Sequence, residues 1–148
     1  MRKLKVKVFK NNFRIPLKRL EIKKIVKTVV GEESPELDGE ISVIFLSDPS
    51  IQEINRSFLN HDYPTDVIAF NLEDVPGKTV DGEVYVGFER AREQSREFGA
   101  SYSEELRRLV IHGVLHLLGW EDDTPEKKQQ MAAREDDFLA KILNEYGG

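Results

Sequence analysis

Cysteine is absent from this chain of 148 residues, and so is any apolar run long enough to cross a membrane. Without cysteine the chain cannot form a disulfide scaffold, a thiolate zinc site or a cysteine nucleophile. The N-terminus alternates lysine with apolar residues, so it does not have the continuous apolar core of a secretion signal. We therefore expect a cytoplasmic protein that does not insert into a membrane.

The composition is that of an ordinary globular protein. Apolar residues make up 39% of the chain and charged residues 33%, which excludes a disordered or fibrous class. A chain of this length fits a single hydrophobic core. No internal repeat or linker interrupts it, so we expect one domain that covers residues 1–148.

The net charge of −5 hides a strong asymmetry along the chain. Residues 1–30 contain eleven Lys or Arg and one acid, Glu21, whereas the remainder contains eleven Lys or Arg and twenty-six acids. A basic segment on an acidic body can attract a polyanion such as RNA. It is equally compatible with a solvated helix face and an edge strand protected by lysines.

The spacing of apolar residues predicts four strands and five helices. Pro16 can occupy the first turn of the first helix, and Gly31 ends that helix. This order predicts an α+β fold with a three-layer α/β/α-like arrangement, in which helices pack on a small mixed four-stranded sheet. The predicted strands are 4–8, 41–46, 67–70 and 82–86, and the predicted helices are 17–29, 51–58, 89–98, 103–118 and 125–146.

Two histidines on the predicted fourth helix are the strongest indication of a functional site. His112 and His116 are four residues apart, so their side chains project from the same face of a helix, one turn apart. The residues around them are almost all apolar, which is typical of a buried helix. Buried imidazoles need polar partners, and we expect a metal site on this helix.

An acidic cluster follows the histidines. Gly119 can end the helix and reverse the chain, which would bring Glu121, Asp122 and Asp123 back toward the imidazoles. A catalytic zinc needs three protein ligands and a water, and two histidines with one carboxylate suit zinc and other divalent metals. We expect His112, His116 and one carboxylate of this cluster to bind one divalent ion, with Zn²⁺ as the expected identity. The alternative is a pair of core histidines hydrogen-bonded to backbone or acids.

The motif differs from the HExxH motif of metallopeptidases. In that motif a glutamate follows the first histidine and acts as the general base, whereas this chain has Gly113. The difference argues against a standard peptidase mechanism. A hydrolase built on this site needs a base from elsewhere or a metal-bound hydroxide.

Four segments carry a family resemblance: Asn55-Arg56, the run PTDVIAF over 64–70, the run GEVYV over 82–86 and the run HGVLHLLG over 112–119. In this order, over roughly residues 40–138, the chain resembles the YbeY-type endoribonucleases, which are bacterial ribosomal RNA maturation factors. One position departs from the family motif. The third histidine of the family, ten residues after the first, is Asp122 here, and a carboxylate is a competent zinc ligand. The resemblance therefore implies His112, His116 and Asp122 as the ligands of the divalent ion.

The resemblance implies a metal-dependent endoribonuclease that cleaves single-stranded RNA during processing of small-subunit ribosomal RNA and ribosome maturation. It implies ribosomal RNA as substrate, and the small ribosomal subunit or its assembly factors as partners. The catalytic residues would be Arg56, His112 and His116. Arg56 offers a planar fork suited to a phosphate, and its alternative role is a surface ion pair.

Further residues are assigned to the cleft through the same resemblance. Thr65 and Asp66 would shape its wall, with Asp66 hydrogen-bonding a ligand histidine or capping loop amides. Glu121 would assist proton transfer or be a solvated loop charge. Tyr85 and Trp120 would stack on RNA bases or simply pack.

Two other functions stay open at this point. One is a metal hydrolase of another bond class, acting on peptide or amide bonds. The other is a non-catalytic ribosome-assembly factor whose metal stabilises the fold. Structural zinc sites are normally closed by four protein ligands, and three candidate ligands favour an open, catalytic site. His61, the third histidine of the chain, is expected to be a loop residue.

Overall fold

The computed structural model describes residues 4–11, 13–59, 65–72 and 79–146. Within these ranges it contains the α+β arrangement of four strands and five helices that the sequence predicts. His61 and Pro64 lie outside the described residues. The elements are β1 (Leu4–Phe9), α1 (Arg19–Glu33), β2 (Asp38–Leu46), α2 (Asp48–Leu59), β3 (Val67–Asn71), β4 (Thr79–Gly87), α3 (Phe88–Phe98), α4 (Tyr102–Leu117) and α5 (Pro125–Tyr146).

The four strands form one mixed sheet in the order β1-β2-β4-β3. β2 pairs in parallel with β1 and with β4, whereas β3 pairs antiparallel with β4. Alternate residues of the central strands are fully buried, as in Ile41, Val43 and Phe45 of β2. One face of the sheet therefore forms the floor of the hydrophobic core.

The helix α4 lies across this buried face. Val110, Ile111, Val114 and Leu115 are inaccessible to solvent, and α4 contacts α1, α3, α5 and the strands β3 and β4. A Cβ atom on Gly113 would lie 2.3 Å from Val84 Cγ1. The missing side chain thus lets α4 approach the sheet closely.

The opposite face of the sheet is reached by α2. Phe58 of α2 contacts Phe70 of β3, with ring centroids 5.7 Å apart. Phe70 pairs with Glu83, and Glu83 points away from the face that contains Val84 because successive side chains of a strand alternate. Helices therefore lie on both faces, as the three-layer arrangement predicts.

The bounds of α1 differ from the prediction at both ends. The helix begins at Arg19, after Lys18 in an extended conformation. Leu17 is buried in the bend before it, and its carbonyl accepts a hydrogen bond from Lys10 Nζ. It continues past Gly31, which is not among the glycines with positive φ, to Glu33. The carboxylate of Glu33 binds Arg134 at 2.6 Å, a contact that local sequence does not reveal.

The last helix, α5, closes the core over α4. Thr124 Oγ1 accepts a hydrogen bond from the backbone N–H of Lys127 at 3.1 Å, and Pro125 occupies the first helical position, so the helix start is well defined. The buried face of α5 contains Met131, Glu135, Phe138, Leu139 and Ile142. A carboxylate therefore sits in an otherwise apolar stripe.

No helix in the described ranges has both the length and the apolar character needed to cross a membrane.

Candidate metal centre

The two histidines of α4 project side by side, as their spacing predicts. Their ring centroids are 4.5 Å apart, and the two Nε2 atoms are separated by 3.0 Å. The helix brings them together because residues four apart lie on the same face.

The turn after α4 brings a carboxylate to the same point. Gly119 has φ of 99°, a backbone conformation that favours glycine. The backbone N–H of Trp120 then donates to Leu115 O at 3.0 Å, which folds the chain back along the helix. Asp122 Oδ2 consequently lies 3.4 Å from Nε2 of both His112 and His116.

Each histidine is oriented through its other ring nitrogen. His112 Nδ1 lies 2.5 Å from Glu135 Oε2, and His116 Nδ1 lies 3.0 Å from the carbonyl oxygen of Trp120. A carboxylate and a carbonyl can only accept hydrogen bonds, so both Nδ1 atoms carry a proton, and in the neutral imidazoles both Nε2 atoms present a lone pair. Two lone pairs and a carboxylate that converge on one point attract a cation.

The donor atoms also have the spacing that a small divalent ion needs. Nε2 to Nε2 is 3.0 Å and each Nε2 to Asp122 Oδ2 is 3.4 Å. The centre of such a triangle lies about 1.9 Å from each donor, so an ion slightly above the plane is within the usual zinc distances of about 2.0–2.2 Å. The group formed by His112, His116 and Asp122 can therefore bind a metal.

The electrostatics around His112 favour positive charge. Burial lowers the pKa of His112, but the hydrogen bond and charge of Glu135, together with the charge of Asp122, outweigh burial and leave this pKa raised. Arg108 offsets part of the negative charge, since its Nη1 lies 3.4 Å from Glu135 Oε1. Two carboxylates still flank the imidazoles, which suits a divalent cation.

The site is open to solvent. The side chains of His112, His116 and Asp122 are 22%, 30% and 37% exposed, so a fourth position is available to water or substrate. A groove of about 550 Å³ leads to His116. Its lining residues are Leu59, Val67, Ile68, Ala69, His116, Gly119, Trp120 and Glu121.

Thr65 and Asp66 precede β3 and follow the residues that the structure does not describe. Asp66 Oδ2 accepts a hydrogen bond from Gln94 Nε2 at 3.1 Å, and its backbone oxygen accepts one from Gly87 N at 2.7 Å. The hydrogen bond to a ligand histidine that we expected from Asp66 is instead made by Glu135. Asp66 acts on His112 through its charge, which contributes to the raised pKa of that histidine.

Glu121 lines the groove, yet its carboxylate is 64% exposed and lies 3.2 Å from Lys127 Nζ. Asp123 binds the same lysine at 3.3 Å. Of the three acids in this turn, Asp122 is the one that faces the histidines.

Arg56 lies on the exposed surface of α2 and forms an ion pair with Glu53, one turn earlier. Among the described residues it has no recorded contact with the histidine pair. It precedes the groove residue Leu59 by three positions, so the two side chains are neighbours on α2. Its place beside the groove is compatible with a phosphate-binding role.

Sequence reasoning missed two groups that hold the histidines, namely the Glu135 carboxylate and the Trp120 carbonyl. Trp120 itself is fixed by its indole N–H, which donates to Glu33 Oε1 at 2.8 Å. A signal for Glu135 is present in the sequence: it falls in the apolar stripe of the last helix, between Met131 and Phe138. An acid on a buried face needs a partner.

Comparisons with known proteins place the chain in a family. The family model described as "Endoribonuclease YbeY" matches residues 7–143. An endoribonuclease YbeY of Chlorobaculum parvum is 41% identical over 117 residues, which cover 79% of this chain and 81% of that protein. The endoribonuclease YbeY of Bacillus licheniformis is 37% identical over 145 residues, with 90% and 89% covered.

A solved structure has the same fold. The solution structure of TM1509 from Thermotoga maritima superposes with a TM-score of 0.65 at 27% sequence identity, and the match covers 97% of this chain and 91% of that one. The family match extends over most of the chain and includes all five helices in whole or in part. The chain therefore belongs to the endoribonuclease YbeY family.

Proposed function

We propose that this protein is a metal-dependent endoribonuclease that cleaves single-stranded RNA in the processing of small-subunit ribosomal RNA. The relatives that match it are named endoribonucleases. The observation that carries the proposal is the convergence of three donor atoms, within 3.4 Å of one another, at an open site. With ribosomal RNA as the proposed substrate, we place the protein in the cytoplasm. Its proposed partners are the small ribosomal subunit or its assembly factors.

We assign His112, His116 and Asp122 as the ligands of one divalent ion, and Zn²⁺ as that ion. The two-nitrogen, one-carboxylate donor set suits zinc. When bound there, the metal would polarise a phosphoryl oxygen and lower the pKa of a coordinated water.

Other residues of the chain orient the metal ligands and contact the substrate in this proposal. Glu135 and the Trp120 carbonyl fix the rings of the two histidines, so that both Nε2 atoms face the same point. Arg56 offers two parallel N–H donors to a phosphate that enters the groove past Leu59. We assign Thr65 and Asp66, which directly precede β3, to the wall of the substrate cleft. Glu121 lines the groove, and we assign its carboxylate to proton transfer.

The alternative of a standard metallopeptidase is disfavoured by the packing of α4. The position of its general-base glutamate is Gly113, and even a Cβ atom there would lie 2.3 Å from Val84 Cγ1. The alternative of a purely structural metal is disfavoured by the exposure of the donor side chains, because structural zinc sites are normally closed.

A cleavage assay on unstructured RNA tests the metal assignment. His116→Ala is expected to lose both bound metal and cleavage while the fold is retained, since His116 is a partly exposed residue. Full-rate cleavage by this variant would show that the proposed centre is not catalytic.

Arg56 has its own test and a matched control. Arg56→Ala is expected to reduce RNA cleavage at unchanged metal content, because Arg56 does not contact the donor group. Arg90→Ala removes the equivalent exposed i,i+3 pair with Glu93 on α3 and is expected to cleave at the rate of the unmodified protein. Loss of metal from Arg56→Ala, or equal activity of both variants, would contradict the phosphate-binding role.

A further inference from the structure

A row of aromatic rings extends from the groove along the face of the sheet opposite the core. Phe58 of α2 packs edge-to-face on Phe70 of β3, with centroids 5.7 Å apart, and Phe70 packs in the same way on Tyr85 of β4 at 6.0 Å. Tyr85 donates its hydroxyl to Glu83 Oε1 at 3.0 Å, which fixes that ring. Burial and this carboxylate raise the pKa of Tyr85 to about 12, so the phenol stays neutral.

The aromatic row is continuous with the candidate metal centre. Leu59 and Ile68 line the same groove as His116. Phe58 is the neighbour of Leu59 in the chain, and Phe70 follows Ile68 by two residues, on the same face of the strand and about 7 Å farther along. A chain that leaves the groove past Ile68 therefore meets Phe70 and Phe58 next.

The first ring of the row is largely exposed to solvent. Phe58 is 71% exposed and its chain neighbour Leu59 is 43% exposed. Ile51, on the same helix, is fully buried, so α2 also has an anchor other than Phe58. Phe58 and Leu59 together form a small exposed apolar patch beside the groove, and apolar patches beside a groove are typical of binding surfaces.

We infer that Phe58, backed by Phe70, is a stacking subsite that holds an unpaired base of single-stranded RNA beside the phosphodiester bond at the metal centre. This inference rests on the proposed function and adds a specificity-determining residue to it. Bases of single strands stack on exposed aromatic side chains with little regard to sequence. Bases in a duplex are already stacked on each other, so a ring at this place selects unpaired RNA.

The geometry favours RNA over a protein partner. The exposed ring adjoins the groove that leads to the donor atoms, and Arg56 lies one turn before Leu59 on the same helix, where it can contact a phosphate next to the stacked base. Arg56 and Phe58 project on either side of the groove residue Leu59, because successive residues of a helix are rotated by about 100°. A strand that passes Leu59 can therefore meet a cation on one side and an aromatic ring on the other, which suits the phosphates and bases of a nucleic acid.

Substitution of Phe58 separates stacking from simple apolar contact. Single-turnover cleavage of a short unstructured RNA by the metal-loaded protein gives the half-saturating protein concentration and the maximal rate. Phe58→Leu keeps apolar area but has no π-face, and it is expected to raise the half-saturating concentration roughly 5- to 150-fold. Phe58→Tyr keeps the ring and is expected to stay close to the unmodified protein.

Phe98 provides a matched control, because it is also 71% exposed and lies at the end of α3. Phe98→Leu is expected to leave both parameters unchanged. A substrate with one abasic nucleotide at the stacking position is expected to bind the unmodified protein as weakly as intact RNA binds Phe58→Leu. The abasic substrate and Phe58→Leu combined should weaken binding no more than either change alone, because both remove the same stacking interaction.

Two outcomes distinguish a failure of this inference from a failure of the proposed function. If RNA is cleaved and Phe58→Leu matches the unmodified protein, the stacking subsite is wrong and the endoribonuclease assignment stands. If the unmodified protein does not cleave RNA, 2-aminopurine fluorescence in the same RNA still reports stacking. Quenching that is lost only in Phe58→Leu would support the subsite, and unquenched fluorescence would overturn it.

Discussion

At the scale of single residues, the centre depends on groups that do not themselves face the metal position. Glu135 is 6% exposed and accepts a hydrogen bond from Nδ1–H of His112. This contact fixes the tautomer and orientation that make Nε2 a donor. The Trp120 carbonyl does the same for His116, so the donor set is held from two separate elements.

Glu135→Gln is expected to weaken metal binding by roughly 10- to 100-fold, because the ligand histidine loses its charged partner. Competition with a chelator of known affinity measures the effect. Asp137→Asn removes the same charge at an exposed position of the same helix and serves as the control. Equal metal affinity of the two variants would contradict a positioning role for Glu135.

The histidine pair could be predicted from sequence, because four-residue spacing on a helix is a local property. The return of the acidic cluster followed from Gly119, since a glycine after the helix signals a reversal of the chain, and the family resemblance singled out Asp122 among its three acids. Glu135 did not follow, because it is 23 residues from His112 and meets it only through the packing of α5 on α4. The same limit applies to Asp66, for which the sequence left open a hydrogen bond to a ligand histidine or a cap on loop amides.

At the scale of elements, the approach of α4 to the sheet decides where the histidines lie. Gly113 sits between the two histidines and faces Val84 and Val67. Gly31, in the last turns of α1, has nothing within 4 Å of a Cβ atom built on it. Substitution by alanine is therefore expected to have opposite effects on stability at these two glycines.

Gly113→Ala is expected to lower the free energy of unfolding by about 1–3 kcal/mol, because the new methyl group overpacks the contact between α4 and the sheet. Gly31→Ala is expected to raise it by up to about 1 kcal/mol, because alanine favours the helix. Urea denaturation of both variants measures whether the free energy of unfolding falls in Gly113→Ala and rises in Gly31→Ala. Equal stability of Gly113→Ala and the unmodified protein would show that the contact is loose.

Glu105, near the start of α4, gives a prediction that depends on pH. Burial raises its pKa, and the charges of Asp66, Glu135 and Glu104 act in the same direction, whereas Arg108 opposes them. A raised pKa in the folded protein stabilises the fold at pH values below the unfolded pKa, and this contribution is lost as the pH rises through the folded pKa. The ionised carboxylate is thus unfavourable at neutral pH.

Glu105→Gln is expected to increase the free energy of unfolding at pH 7, and the gain should shrink towards pH 4, where the native carboxyl is protonated. Denaturation curves at the two pH values provide the measurement. Glu104→Gln removes an acid from the same helical turn at a less buried position, so it controls for the loss of the helix-dipole interaction. A gain that does not depend on pH would contradict this account.

The boundaries of α1 show why element ends were less predictable than elements. The strand and helix periods identified the four strands and five helices of the described residues, since each buries one continuous stripe. The last residue of α1, Glu33, instead binds Arg134 of α5, which is 101 residues away. Local signals such as Pro16 and Gly31 cannot account for such a contact.

At the scale of the whole molecule, the donor group connects elements that are distant in sequence. Asp122 comes from the turn before α5, the histidines come from α4, and Glu135 ties α5 to them. Trp120 and Arg134 both bind Glu33 of α1. A ligand held by this group should therefore stabilise the entire fold.

Zinc added at about 100 times its dissociation constant is expected to stabilise the folded state by about 2.7 kcal/mol, because it binds the folded state selectively. Thermal unfolding in zinc and in chelator measures this difference as an increase of several degrees. The double variant His112→Ala/His116→Ala is expected to show no increase. An equal increase in that variant would place the stabilising metal elsewhere on the protein.

A single metal ion at His112, His116 and Asp122 is proposed to be required for RNA cleavage, and titration of the activity with metal tests this requirement. Metal-free protein is supplied with zinc from zero to two equivalents, and the initial rate of cleavage of unstructured RNA is measured at each point. We expect a rate that rises with zinc, levels off at one equivalent per chain and stays at background in His116→Ala. Cleavage by metal-free protein, or an identical titration curve in His116→Ala, would contradict the claim.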